Sequence, residues 1–461
     1  MPETTKDKAA FEVIVLGPNG GPREDNVTGL LVRSTALNWS PGSVVAVDAG
    51  TLLAGIIRLL NQAVPKAVDH KIVNGPFSGL ELPFKTAEAN AAYIFRDIIG
   101  AVLITHPHLD HISGLAINTP ILEAGNGPKP VAALPSVLAA IKNHMFNDII
   151  WPNLSDEDGG AGLLTYQRLV EGGNSRLGSA GTRGYVRACN GLLTKCLSVS
   201  HGRSKQRYHA ESGAHHGTGS AVFDQYMLQH RGSLDQSDGS SPRIGSSGAS
   251  NEPAMATVES SAFFLQDNST GNEIIVFGDV EPDTVALEPH NRLVWKAAAP
   301  KVAAGTLRAI FIECSYNDSI DDAFLYGHLC PRHLIAELKV LADKVMDVRD
   351  GIAERKPEPN SNSTETSPST KRAQSATGAR VSFSDSLVLS EELDQPDPAR
   401  WAKEIHPPLN CLSVYIIHVK ETLSDGPPPG ERIIKELQAH SREAHLGCDF
   451  FLPSTTEPIW I

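Results

Sequence analysis

Residues 105–114 read THPHLDHISG and combine three histidines with one aspartate. The stretch follows AVLI at 101–104, an apolar run typical of a buried strand. Its metal-competent side chains are His106, His108, Asp110 and His111. Residues two apart on an extended backbone point the same way, so the first two histidines can reach one ion, and neutral imidazoles suit zinc. The other two lie on the following turn and can face a second ion.

Further metal-competent residues follow other apolar runs. SVVAV ends at Asp48, CLSVS at His201, EIIVFG at Asp279 and CLSVYII at His418. Open α/β folds bind ligands at the carboxyl ends of their strands. We therefore expect His201 to complete the first metal site, His418 to complete the second, and Asp279 to bridge metals about 3.5–4 Å apart. Asp48 is expected to orient the histidine turn through hydrogen bonds.

The remaining patterns predict an α/β fold. Strands are expected at 11–17, 43–50, 101–106, 194–202, 307–316 and 409–420, with a hairpin around NSTGN at 268–272. Helices are expected at 86–100, capped by Thr86, and from Pro331 onward. Two segments, 202–259 and 351–400, are rich in Ser, Gly, Pro and Asn and predict disordered insertions. Because the candidate ligands extend from 48 to 418, the interpretation is a single domain over 1–461.

Composition restricts the partners and the compartment. The net charge of −13 disfavours a polymeric nucleic acid, although a single small anion can still bind one local site. The chain has no apolar run of about 18 residues, so no membrane span is expected. The start MPETTKDKAA lacks a signal-peptide pattern, and the six cysteines form no CxxC pair. A cytoplasmic protein with reduced thiols is the resulting prediction.

Several of these stretches resemble a known family. The HxHxDH turn resembles the metallo-β-lactamase-fold hydrolases. HPHLDHISGLAINTP is similar to the signature of the class II 3′,5′-cyclic nucleotide phosphodiesterases, of the fungal low-affinity cAMP type. Other similar stretches are LGPNGGPREDNVTGLLV, SHG (200–202), FGDVEPD (277–283), IECSY (312–316), YGHLCPRHL (326–334) and IIHVK (416–420). The long Ser-rich insertions are not part of this pattern.

The resemblance implies a metallo-β-lactamase-like four-layer αβ/βα sandwich that hydrolyses cyclic AMP, and also cyclic GMP, in cAMP signalling. The ligands it implies are His106, His108, Asp110, His111, His201, Asp279 and His418. Two divalent ions, zinc before manganese or magnesium, would activate a bridging hydroxide that attacks phosphorus. Asp110 and His328 are the predicted catalytic residues, the histidine as acid for the 3′ oxygen. Gly20, Gly21 and His333 are predicted substrate contacts, and Glu313 is interpreted as structural.

Two alternatives remain at this stage. One is another hydrolase of the same fold that acts on a thioester, a sulfate ester or a tRNA 3′ end. The acidic charge disfavours the last of these. The other is a non-catalytic cyclic-nucleotide sensor, which a complete ligand set disfavours.

Two further partners are predicted. RIGS places Arg243 three residues before Ser246, and KRAQS places Lys371 and Arg372 before Ser375. Basic residues at this spacing predict phosphorylation of both serines by a cAMP-dependent kinase, which would give feedback control. A homodimer is the second partner prediction.

Overall fold

The computed structural model describes residues 8–123, 125, 127–178, 180–205, 207–209, 214–216, 255–353, 400–401 and 406–461. Its strands are β1 (Phe11–Gly17), β2 (Gly29–Ser34), β3 (Val44–Val47), β4 (Ile99–Leu103), β5 (Lys129–Ala133), β6 (Leu164–Arg168), β7 (Val186–Cys189), β8 (Leu192–Lys205), β9 (Arg207–His209), β10 (Ala214–His216), β11 (Met255–Asp267), β12 (Glu273–Phe277), β13 (Leu307–Glu313), β14 (Ser413–Ile417), β15 (Asp449–Phe451) and β16 (Ile459–Trp460). Its α-helices are α1 (Leu53–Ala63), α2 (Ala87–Tyr93), α3 (Leu109–Asn118), α4 (Pro135–His144), α5 (Asn291–Ala303), α6 (Pro331–Ala353) and α7 (Pro429–Glu443). None of the described helices is long and apolar enough to cross a membrane.

Apart from β9 and β10, which pair only with each other, the described strands form two seven-stranded sheets with the same pattern of antiparallel and parallel pairing. The first sheet has the order β16-β1-β2-β3-β4-β5-β6, and the second β15-β14-β13-β12-β11-β8-β7. In each sheet one half is antiparallel, and the other half, from β3 to β6 or from β12 to β15, is parallel. Parallel strands place their carboxyl ends at one edge, which prepares a common rim for the site.

Both faces of the second sheet are buried, and the side chains of successive residues pack in different hydrophobic cores. Phe263 and Phe311 belong to the core shared with the first sheet and α1–α4. Phe264 and Ile310, their immediate neighbours along the strands, pack in a second core with α5, α6 and α7. This period of two is the side-chain alternation of a strand buried on both faces. The resulting helix–sheet–sheet–helix arrangement confirms the predicted four-layer sandwich.

The predicted helix at 86–100 is wrong at its C-terminal end. Thr86 Oγ1 accepts the Ala89 amide as expected, but the α-helix ends at Tyr93, a π-helical turn covers Ile94–Ile98, and β4 begins at Ile99. The ammonium of Lys129 donates to the carbonyl oxygens of Arg96 (2.9 Å) and Ile99. A lysine distant in sequence thus satisfies carbonyls that a longer helix would have used.

The boundaries of the two predicted insertions also need correction. Strand β8 continues to Lys205 and β11 begins at Met255, so both enter the predicted 202–259 segment, as does the β9–β10 hairpin. Helix α6 extends to Ala353, inside the predicted 351–400 segment. Most other residues of the two segments lie outside the described ranges. The single-domain organisation therefore stays a prediction.

A buried carboxylate in α6 gives a testable pH dependence. Glu337 Oε2 accepts the indole N–H of Trp295 (2.6 Å), and Oε1 accepts the Asp283 amide (2.7 Å). Burial, and then the charge of Asp283, raises the pKa of Glu337 to about 7. Because the folded state holds this proton more tightly than the unfolded chain, the contribution to stability is complete below the unfolded pKa of about 4.3 and is lost as pH rises through 7.

Glu337→Gln should remove this dependence, because glutamine mimics the protonated acid. We expect the free energy of unfolding of the wild type, relative to the variant, to fall between pH 5 and pH 8, measured by urea denaturation at each pH. Identical slopes against pH in the two proteins would contradict the account.

Candidate metal centre

The candidate ligands meet at the rim where strands of both sheets end. Asp48 directly follows β3, and Asp279 lies two residues after β12. His418 directly follows β14. The backbone of Asp48 (φ 56°) and that of His418 (φ 57°) are left-handed, a conformation that aspartate and histidine adopt more often than most side chains.

The histidine turn spans the end of β4 and the start of α3. His106 is fully buried and His108 is exposed, so the two differ in their access to solvent. Helix α3 begins at Leu109, so Asp110 and His111 occupy its first turn, where acidic side chains are favoured by the helix dipole. His106 and His108 belong to one set of neighbouring metal-competent side chains and Asp110 and His111 to another, while the predicted division of the motif between two metals stays a prediction.

His201 was expected at the end of a strand, and this was wrong. It lies within β8, at a β-bulge where His201 and Gly202 together oppose one residue of β11, between the Glu259–Ser200 and Thr257–Arg203 pairs. A bulge rotates the strand locally and redirects a side chain. The bulge, rather than a strand terminus, is what turns this imidazole toward the other ligands.

One group of four side chains forms around Asp279. Its members, whose ligand atoms all lie within 4.8 Å of one another, are His106, His108, His201 and Asp279. Asp279 Oδ2 is 3.6 Å from both His106 Nε2 and His201 Nε2. His108 Nδ1 is 3.0 Å from His106 Nε2 and 3.2 Å from His201 Nε2.

A second group shares the same aspartate. Its members are Asp110, His111, Asp279 and His418. Asp279 Oδ1 is 3.3 Å from His111 Nε2, and Asp279 Oδ2 is 3.2 Å from His418 Nε2. His418 Nε2 is also 3.2 Å from Asp110 Oδ2. Asp279 is the carboxylate common to both groups, which is the position predicted for a bridging ligand.

These residues fit divalent cations. His111 Nε2 and Asp279 Oδ1 are buried and have no hydrogen-bond partner within the described structure. Such atoms are costly unless something else satisfies them, and a cation between them would do so. Imidazole nitrogens combined with carboxylate oxygens are a donor set typical of zinc and related metals.

Burial and neighbouring charges shift the pKa values of these groups, and His111 differs from the other histidines. Burial lowers the pKa of His111, but the carboxylates of Asp279 and Asp48 outweigh it and the net shift is well upward. Burial lowers the pKa of His106 well below its usual value and lowers that of His201 to about 4. Burial alone would raise the pKa of Asp279, but the imidazoles of His418 and His111, with that of His106, hold it well below the usual range. Neutral imidazoles and an ionised carboxylate are the ligand forms.

Hydrogen bonds from outside this cluster fix the ring orientations. Asp48 Oδ2 accepts from His111 Nδ1 (2.8 Å), and Asp48 Oδ1 accepts the Thr105 amide (2.8 Å). Asp48 thus contacts both His111 and the backbone of the histidine turn, and its orienting role stays a prediction. His201 Nδ1 donates to the carbonyl of Gly327 (2.9 Å). Because His111 and His201 each use Nδ1 in these bonds, the Nε2 atom of each ring is left free to face Asp279.

His328 adjoins these two groups and is held by Glu313. With His201 and Asp279, these two residues form a third set of side chains whose ligand atoms lie within 4.8 Å of one another. His328 Nδ1 donates to Glu313 Oε1 (2.9 Å), and Ser315 Oγ donates to Glu313 Oε2 (2.6 Å). Burial lowers the pKa of His328, but the Glu313 carboxylate outweighs it and the net shift is upward. Sequence reasoning treated Glu313 as structural. Its position at the end of β13, within IECSY, was the available signal.

Lys420 was also missed. Its ammonium donates to the carbonyl of Gly20 (2.7 Å) and lies 3.7 Å from Asp110 Oδ2. The signal was its place two residues after His418 in IIHVK. It brings a positive charge to the edge of the second group.

The three predicted substrate contacts, Gly20, Gly21 and His333, do not lie together. Gly20 packs against the His418 ring so closely that a Cβ there would lie 2.4 Å from Cε1. Gly21 accepts the Glu421 amide (3.0 Å) through its carbonyl. His333 Nε2 is 3.3 Å from Asp322 Oδ1, away from the metal-competent groups. Ser246 and Ser375 lie outside the described residues, so the kinase contact stays a prediction, as does the homodimer.

Comparisons with known proteins agree with this geometry. Residues 11–170 and 239–357 match the family model described as cAMP phosphodiesterases class-II. A 3′,5′-cyclic-nucleotide phosphodiesterase of Schizosaccharomyces pombe is 29% identical over 340 residues, which cover 73% of this chain and 76% of that protein. One from Candida albicans is 24% identical over 484 residues, covering 95% and 97% of the two chains.

A solved structure supports the same fold. The crystal structure of unliganded yeast PDE1 superposes with a TM-score of 0.60 at 20% sequence identity, covering 98% of this chain and 100% of that one. With a family model matching more than half of its residues, this chain belongs to the class II cAMP phosphodiesterases.

Proposed function

We propose that the protein hydrolyses 3′,5′-cyclic AMP, and also cyclic GMP, to the nucleoside 5′-monophosphate. The observation that carries this proposal is the position of Asp279, a buried carboxylate shared by two groups of metal ligands. Membership of the class II family supplies the substrate class.

We propose that the protein binds two divalent cations, with zinc preferred over manganese or magnesium. One would be held by His106, His108, His201 and Asp279, and the other by Asp110, His111, His418 and Asp279. When bound, such ions lower the pKa of water to near neutrality and neutralise charge on a phosphoryl group.

His328 is the proposed acid for the departing 3′ oxygen. Glu313 accepts the Nδ1 proton (2.9 Å), so Nε2 is the nitrogen that can donate toward the substrate. The ring stacks against that of His418, with 5.2 Å between centroids, which places it at the edge of the second ligand group. A proton donor at this position lets the 3′ oxygen leave as a hydroxyl group instead of an unstable alkoxide.

Lys420 is proposed to pair with a phosphoryl oxygen of the substrate. Its side chain is 25% exposed beside Asp110, so it faces solvent at the opening of the centre. The carbonyl of Gly20 anchors its ammonium, and a positive charge already in place stabilises negative charge that develops on phosphate oxygens.

A substrate panel tests the function. The purified protein with added Zn²⁺ is incubated separately with cyclic AMP, cyclic GMP, an acyl thioester, an aryl sulfate and a tRNA with a 3′ extension. We expect ³¹P NMR to show 5′-AMP and 5′-GMP, and no turnover of the other three. Binding of cyclic AMP without turnover would instead indicate a sensor, and turnover of another substrate alone would indicate a different hydrolase.

A further inference from the structure

The mouth of the metal centre suggests where a nucleoside would lie. His108 is exposed, and the side chains of Asp110 and Lys420 are 26% and 25% exposed. A cyclic nucleotide with its phosphate at the metal ligands must direct its base outward past these groups, because the ribose separates the two. Rim residues beside His328, where the 3′ oxygen would leave, therefore face the nucleoside.

Two tyrosines flank His328 at this rim. Tyr326 directly precedes Gly327, whose carbonyl accepts from His201, and the residue is 71% exposed. The half-buried Tyr316 places its ring 6.1 Å from that of His328, at an interplanar angle of 64°. The backbone amide of Tyr316 donates to the carbonyl of Leu329 (3.4 Å), so this residue lies against the loop that carries Tyr326.

The backbone of Tyr326 is in an unfavourable conformation. Its φ is 51°, in the left-handed region where a bulky residue is strained. The loop is held there by contact between two glycines, since a Cβ on Gly327 would lie 2.7 Å from the Cα of Gly202. The exposed ring of Tyr326 gains little from burial, so neither packing nor backbone preference accounts for a tyrosine at this position.

We propose that Tyr326, supported by Tyr316, stacks on the base of the cyclic nucleotide and sets the affinity for substrate. This inference rests on the proposed hydrolysis of cyclic nucleotides. Every base presents a π-face to an aromatic ring, and stacking does not read the hydrogen-bonding edge. Tyr326 therefore supports binding of adenine and guanine alike.

The test uses the full-length, metal-loaded protein with Tyr326→Asn and Tyr326→Phe. Asparagine tolerates a left-handed backbone but cannot stack as an aromatic ring does. We expect Tyr326→Asn to raise KM for cyclic AMP and cyclic GMP about tenfold each, the size typical for loss of one base stack, and to change kcat less than about twofold. Tyr326→Phe should retain wild-type KM. The thermal midpoint of Tyr326→Asn should equal or exceed that of the wild type.

His70→Asn is the matched control. His70 is exposed, lies in the loop between α1 and α2, and has a φ of 62°. Its replacement should relieve similar strain and leave KM unchanged. With an active wild type, an unchanged KM in Tyr326→Asn would overturn the inference, and so would a rise for one base only. A wild type that turns over neither nucleotide would contradict the proposed function itself, and this inference with it.

Discussion

Replacement of Asp279 by alanine is expected to abolish hydrolysis of cyclic AMP and to lower the metal content of the protein. The carboxylate contacts His111, His418 and His106 at 3.2–3.6 Å and is the member common to both ligand groups. Its loss leaves each group one ligand short and removes the negative charge that offsets two cations. We expect kcat/KM to fall on the order of 10³-fold or more, which corresponds to about 4 kcal/mol of transition-state stabilisation.

The measurement combines metal analysis per chain with turnover, and circular dichroism confirms that the variant is folded. Asp267→Asn is the matched control, because Asp267 is also a fully buried aspartate on the second sheet, where its Oδ2 accepts the Thr270 amide in the β11–β12 turn. The control should retain metal and turnover. Asp279→Ala with an undiminished metal content and near-normal turnover would rule out the bridging role.

Loss of His328 is expected to have the next largest effect, with a dependence on the leaving group. His328→Gln should lower kcat for cyclic AMP by about 10²–10⁴-fold, the usual contribution of a positioned acid. A diester that releases p-nitrophenolate needs no such proton, so its turnover should fall less than about tenfold. Glu313→Gln should cause a smaller loss than Glu313→Ala, because an amide oxygen can still accept from Nδ1.

The control for this prediction is another histidine–carboxylate pair. His440 Nε2 lies 2.7 Å from Asp318 Oδ2, on α7 and outside the metal-competent groups. His440→Gln should leave both substrates unaffected. Equal losses of His328→Gln on cyclic AMP and on the p-nitrophenyl diester would show that this histidine does not act as the acid for the leaving oxygen.

The features predicted best from the sequence are those that depend on residues close together in the chain. The motif at 105–114 and the strand-end positions of Asp48, Asp279 and His418 are local patterns, and the structure places these residues together. Short apolar runs likewise predicted strands, and the resemblance to the metallo-β-lactamase-fold hydrolases predicted the sandwich.

Features that depend on distant contacts were missed. After the α-helix ends at Tyr93, Lys129 reaches the carbonyls of Arg96 and Ile99 from another strand, a contact that no pattern within 86–100 reveals. The orientation of His201 depends on a bulge opposite β11, which no run within β8 reveals. The pairing of Glu313 with His328 joins residues whose proximity requires the completed fold.

We infer that ions held around Asp279 enable this protein to hydrolyse cyclic nucleotides. The most direct test removes metal from the purified protein with a chelator, returns Zn²⁺ stepwise, and follows bound metal and cyclic AMP hydrolysis together. The predicted result is no activity without metal and full production of 5′-AMP at about two bound ions per chain. Full activity in the metal-free protein, or bound metal without any hydrolysis, would contradict the account.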